Sequence, residues 1–100
     1  MFQNAFYTRQ RRIANLIKKT LSILMVKYGI FLNITKVLIN KDFQIAEVFF
    51  NLRCSSKKEK YILSLLQMKS KYFRKLLSKC TYLKIIPKIM FKSDIIVYKS

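Results

Sequence analysis

The apolar residues of this chain change period three times, and that succession restricts the fold more than any other feature. Ile13, Leu16, Ile17, Leu21, Leu24 and Tyr28 follow helical i, i+3, i+4, i+7 spacing, with Arg12, Asn15, Lys19 and Ser22 on the other side. This predicts a first helix over about residues 9–27, with Gly29 as its stop. The period then drops to two. Thr35, Val37 and Ile39 share one face of a strand, and Asn40-Lys41-Asp42 is turn chemistry. A second strand sets Ala46, Val48, Phe50 and Leu52 against Ile45, Glu47, Phe49 and Asn51, which completes a hairpin.

The helical period returns after Ser55 and Ser56, both good N-cap residues, with Glu59 placed to complement the helix dipole. Ile62, Leu65, Leu66, Tyr72, Phe73, Leu76, Leu77 and Cys80 form one stripe, interrupted by Lys69-Ser70-Lys71. The pattern fits two helices, about 57–69 and 71–80, or one kinked helix, because lysine itself is a good helix former. Last, Leu83, Ile85, Pro87, Ile89 and Phe91 alternate with Lys84, Ile86, Lys88, Met90 and Lys92. Pro87 donates no ladder hydrogen bond, so this strand belongs at an edge or carries a bulge. The apolar Ile95–Tyr98 tail continues or covers that edge. The expectation is an α+β fold in the order α-β-β-α-α-β, with helices covering one face of a three-stranded sheet. Residues 1–8 read as a flexible arm and residues 9–98 as a single domain.

One hundred residues allow one core. An apolar content of 52 % argues against disorder despite a net charge of +17. Lys and Arg number 21 against four acids, Asp42, Glu47, Glu59 and Asp94, a balance that favours an anionic partner. Lysine outnumbers arginine 16 to 5, so a share of the basicity is what AT-rich codons encode. The chain has no histidine and a single glycine. Those absences remove the commonest general base and metal ligand, and exclude Gly-rich phosphate loops and nucleophile elbows. With four scattered acids and no poised pair, the chain reads as a non-enzyme without cofactor, metal or small-molecule substrate.

Cys54 and Cys80 form no CxxC, and Cys80 reads as buried filler on its helical stripe. The apolar run Ile23–Val26 is too short to span a membrane. The acid-free first 41 residues have a transit-peptide composition, yet the core needs their helix. A basic amphipathic helix lying on an anionic bilayer is the competing class, opposed by the same argument.

Three basic sets are candidate phosphate contacts. The first is Arg9, Arg11 and Arg12 with Lys18 and Lys19. The second is Lys69, Ser70, Lys71, Arg74 and Lys75, where a helix start would add outward N–H groups. The third is Lys84, Lys88 and Lys92 on one strand face. Lys57, Lys58 and Lys60 read as a solvated helix start. Phe49, Phe50, Tyr72 and Phe73 could stack on bases but sit at periodic core positions. Asp42 and Asp94 read as caps of backbone N–H groups.

Several segments together resemble one family. Arg12-Ile13-Ala14 opens the first helix, and Asn33-Ile34-Thr35-Lys36-Val37 opens the first strand. Asp42-Phe43-Gln44-Ile45-Ala46-Glu47-Val48-Phe49 leads into the second strand. Phe73-Arg74-Lys75-Leu76-Leu77 precedes Leu83-Lys84-Ile85-Ile86-Pro87-Lys88-Ile89-Met90-Phe91-Lys92-Ser93-Asp94. In this order, over about residues 9–96, they resemble the ribosome-binding factor A family, whose domain is type II KH-like. The resemblance implies a non-enzymatic assembly factor. It would bind the immature small ribosomal subunit and its rRNA near the 5′-terminal helix, assist late processing and leave before translation. A bacterial cytoplasm is the expected location, with an organelle as the alternative, and a monomer is the default state. Lys69-Ser70-Lys71 stands where the family has Ala-x-Gly, the connection after the first helix is short, and many relatives continue further. With the composition, these departures fit a copy from a reduced, AT-rich genome. A generic basic KH-like RNA binder is the alternative.

Overall fold

The computed structural model describes residues 5–30, 32–51 and 56–94, so the expected cap Ser55, Cys54 and the Ile95–Tyr98 tail lie outside the described residues. Six elements follow in the expected order: α1 (Ala5–Lys27), β1 (Asn33–Ile39), β2 (Ile45–Asn51), α2 (Ser56–Met68), α3 (Ser70–Cys80) and β3 (Lys88–Ser93). α1 begins at Ala5, so residues 5–8 of the expected arm belong to the helix. No glycine or proline stands there to stop it extending upstream of Arg9.

Gly29 ends α1 as its position suggested. Its φ is +74°, its N–H donates to the Val26 carbonyl at 3.0 Å, and the Ile30 N–H donates to Met25 at 2.8 Å. This is a Schellman closure, with Ile30 packed against the core beyond it. A Cβ on Gly29 would meet nothing within 4 Å, so only backbone strain opposes substitution. Gly29→Ala therefore costs about 1 kcal/mol, read as a lower thermal midpoint with an unchanged far-UV spectrum.

The sheet order is β1-β2-β3, with β1 antiparallel and β3 parallel to the central β2. Ala46, Val48 and Phe50 of β2 are buried as their alternation requires. β1 departs from strict alternation. Its register shifts between Ile34 and Lys36, and both Ile34 and Val37 are buried while Thr35 sits at the irregularity. The Thr35 hydroxyl donates to Asp94 Oδ2 at 2.5 Å, with the Phe49 carbonyl at 3.3 Å as the weaker acceptor. Asp94 thus takes a side-chain donor rather than the expected backbone N–H, and its own N–H donates to Phe50 at 2.6 Å. Thr35→Val keeps the shape and removes the donor. It costs about 1–2 kcal/mol, seen as a lower urea midpoint with an unchanged slope.

The helices cover one face of the sheet. Ile17, Leu21 and Met25 of α1, Leu66 of α2, and Phe73 and Leu77 of α3 join Ile89 and Phe91 of β3 in one cluster. Most of the apolar stripe of α1 is thereby packed against the sheet, while Tyr28 at its end is exposed. No described helix is long and apolar enough to cross a membrane.

The helical stripe after Ser56 divides at Lys69, whose φ and ψ of −97° and 8° leave the helical region. Its N–H is shared between the Leu65 and Leu66 carbonyls at 3.1 Å each. Cys80, expected as buried filler, is exposed. It lies at the last residue of α3, past the turn that Leu77 anchors to the sheet.

The last strand is shorter than alternation implied. Residues 82–87 are irregular and depart from the expected alternation at one pair: Ile86 is buried, whereas Ile85 is 80 % exposed. The chain must cross over to run parallel to β2, and Pro87 supplies no N–H for an earlier start.

Candidate nucleic-acid interface

Four segments converge around an open cleft of about 690 Å³. They are the start of α1, the β1–β2 turn, the middle of α3 and the 82–87 segment. Each is tied to a neighbour. The Gln10 side-chain amide donates to the Ile39 and Asn40 carbonyls, both at 3.0 Å, and clamps α1 to the hairpin end. Arg74 Nε donates to the Ile86 carbonyl at 3.0 Å and holds the irregular segment against α3. The Lys88 N–H donates to the Gln44 carbonyl at 2.8 Å and joins the start of β3 to the turn.

The turn is closed by Asn40 rather than by the expected Asp42. Asn40 Oδ1 accepts the Gln44 and Ile45 N–H groups at 2.8 Å each. Asp42 instead lines the cleft. Phe43, the next residue, has a φ of +56°, a left-handed conformation unusual for an aromatic residue. The Arg9 guanidinium stands 5.6 Å from its ring centroid, within cation–π reach.

The structure regroups the three basic sets. Arg9 from the first, Arg74 from the second and Lys84 from the third line the main cleft together. A shallower hollow of about 510 Å³ adjoins it, lined by Lys71, Arg74, Lys75, Ser78 and Lys84. Arg74 and Lys84 belong to both, so five cations border one continuous depression. Arg11 and Arg12 are exposed on α1 but line neither hollow.

Lys69 and Ser70 stay at the kink. Lys69 Nζ lies 5.9 Å from the Tyr72 ring centroid, and the start of α3 carries no side-chain cap. The Tyr72 and Tyr28 hydroxyls share a hydrogen bond of 3.1 Å, and this pairing is the main cause holding the Tyr28 phenol above its ordinary range.

The third set does not share a face. Lys84 precedes the strand, whereas Lys88 and Lys92 lie with Met90 on the open face of the sheet. Lys92 pairs with Glu47 at 2.5 Å, a half-exposed contact worth little. On that face Lys36 Nζ stands 4.8 Å from the Phe49 ring centroid. Phe50 and Phe73 are core residues, as their periodicity indicated, but Tyr72 is exposed.

Periodicity missed Phe43 and Tyr82, which line the cleft without belonging to a regular stripe, and it assigned Ile85 to an inward strand face, whereas Ile85 lines the cleft. An aromatic residue directly after Asn-Lys-Asp was the one available signal. Among the described residues no group of three or more His, Cys, Asp or Glu side chains gathers to hold a metal ion.

A three-stranded mixed sheet, helices on one face and a break between α2 and α3 define a type II KH-like domain. Comparisons with known proteins narrow that class. Residues 9–99 match the sequence profile of the family described as Ribosome-binding factor A. The chain belongs to this family. It is 33 % identical over 96 residues to the ribosome-binding factor A of Buchnera aphidicola subsp. Cinara cedri, covering 88 % of this chain and 83 % of that one. The protein of the same name from Buchnera aphidicola subsp. Acyrthosiphon pisum is 33 % identical over 87 residues, covering 85 % and 71 %. The crystal structure of ribosome-binding factor A from Thermus thermophilus superposes with a TM-score of 0.62 at 12 % identity. That match covers 90 % of this chain and 97 % of the other. A Thermotoga maritima protein, provisionally described as a ribosome binding factor A and solved by solution NMR, gives 0.65 at 23 % identity over 99 % and 98 %. Both show the shared fold.

Proposed function

We propose that this domain is a non-enzymatic assembly factor that binds the immature small ribosomal subunit. It acts through its rRNA, near the 5′-terminal helix, during late processing. Family membership supports the ribosomal partner. The observation that carries the reading is the depression bordered by Arg9, Lys71, Arg74, Lys75 and Lys84, with Asp42 as its single acid. Cations converging from distant segments on a hollow held by hydrogen bonds suit a phosphate backbone, and arginine adds bidentate reach.

In this reading Arg74 is the central contact, fixed through its Nε while its terminal N–H groups remain for phosphate. Arg11, Arg12, Lys69, Ser70 and Lys88 are outer contacts that attract the polyanion and orient the domain. The protein acts as a monomer in the bacterial cytoplasm. Shape and backbone, rather than a read sequence, select the site.

Co-sedimentation with separated ribosomal subunits tests the proposal. Selective recovery with free small subunits at moderate salt, lost at high salt, is expected. Equal recovery with both subunits would overturn the small-subunit assignment and leave a generic basic RNA binder.

A further inference from the structure

We infer that the main cleft is a receptor for one unpaired RNA base. The base stacks against Phe43 and Tyr82 while Arg74 and Lys84 hold the adjoining phosphate. This rests on the RNA-binding reading above and names what the site takes.

Phosphate binding alone does not explain this cleft. Its volume of about 690 Å³ suits a small ligand enclosed on several sides. Its walls include apolar and aromatic groups, among them Phe43, Tyr82 and Ile85. Tyr82 and Ile85 are 73 % and 80 % exposed, so neither is used to fill the core. Every nucleobase presents a π-face to such rings, and Arg9 over Phe43 adds a second planar cation. Asp42 would repel a second phosphate in the same space, yet it accepts hydrogen bonds from the ring or amino N–H groups of a base.

Phe43 supplies an independent argument. A side chain in the left-handed region costs about 1–2 kcal/mol, which glycine would avoid. Residues held in such conformations cluster at ligand sites. Here the Phe43 N–H donates to the Asn40 carbonyl at 3.0 Å as part of the turn, a place glycine would fill without strain, so what the costlier residue adds is the ring that lines the cleft.

The test separates base from phosphate. Fluorescence anisotropy compares a single-stranded RNA hexamer with an abasic hexamer carrying the same number of phosphates. The intact protein is expected to favour the base-bearing strand by about tenfold. Phe43→Gly with Tyr82→Ala should abolish that preference and leave abasic binding unchanged. Glycine relieves the strained turn, so a retained thermal transition is expected, which distinguishes a lost receptor from a lost fold. Equal affinity of the intact protein for both strands, or an undiminished preference in the folded double variant, would overturn the inference. Subunit co-sedimentation on the same samples keeps the two proposals apart. Base preference without small-subunit selectivity would defeat the ribosomal reading and leave the base receptor standing.

Discussion

Replacing Lys71 and Lys75 together with glutamate lowers RNA affinity about a hundredfold near physiological salt. The two lysines lie one helical turn apart on the exposed flank of α3, and both border the hollow that Arg74 and Lys84 share. Each phosphate contact releases condensed counterions, so removing two lowers the slope of log affinity against log salt by about 1.4–1.8. Reversal adds repulsion to that loss. The effect falls on abasic and base-bearing strands alike, unlike the loss expected from the Phe43 and Tyr82 changes. Arg74 is the less clean target, because its Nε also holds the Ile86 carbonyl and its loss frees residues 82–87. Arg74→Glu therefore combines lost phosphate binding with a loosened wall, whereas the lysine pair isolates charge. A salt titration followed by anisotropy, with circular dichroism to establish folding, checks the result. An unchanged slope in a folded double variant would remove Lys71 and Lys75 from the interface.

Phe73→Ala destabilises the domain by about 3–5 kcal/mol, a large part of the stability available to a chain of this size. The ring is 1 % exposed and meets Phe91 of β3 edge-on at a centroid distance of 6.0 Å. It also lies one turn past the break at Lys69, whose carbonyl accepts the Phe73 N–H at 3.0 Å. Truncation opens a cavity where α3 presses on β3. The position of α3, and with it Lys71, Arg74 and Lys75 around the depression, then weakens. Phe73→Leu retains most of the volume and costs less, about 1–2 kcal/mol. Urea unfolding of both variants measures the difference. A loss below about 1 kcal/mol for the alanine variant would mean that α3 is held chiefly by something other than this ring.

Much of the fold was legible because it depends on local rules. The inward positions Ala46, Val48 and Phe50 follow from a period of two, and all three are fully buried. Gly29 reads as a stop because only glycine adopts its positive φ without strain. Where backbone and pattern part company, the cause is a distant contact. At Thr35 a register shift brings Ile34 inward beside Val37. Before β3, the crossover and the Arg74 bond to Ile86 leave Ile85 outside. The stripe Ile62, Leu66, Phe73 and Leu77 is compatible with one unbroken helix, so the sequence could only bracket the break.

The candidate site was legible as chemistry but not as geometry. Arg9, Lys71, Arg74, Lys75 and Lys84 are visible as cations in the chain, yet cations are so numerous here that charge alone selects none of them. Lys88 and Lys92 look equivalent to Lys84 by spacing, but pairing with β2 turns them to the open face of the sheet. By itself the sequence determined the order of elements, the inward face of β2, most of the apolar stripes of α1 and α3, and a strong net positive charge, because periodicity and net charge are properties of the chain. Only the tertiary structure decided which cations meet, and that Phe43 and Tyr82 stand among them. Those neighbours depend on contacts such as Gln10 with Ile39 and Arg74 with Ile86, 29 and 12 residues apart, whose closeness no local pattern encodes.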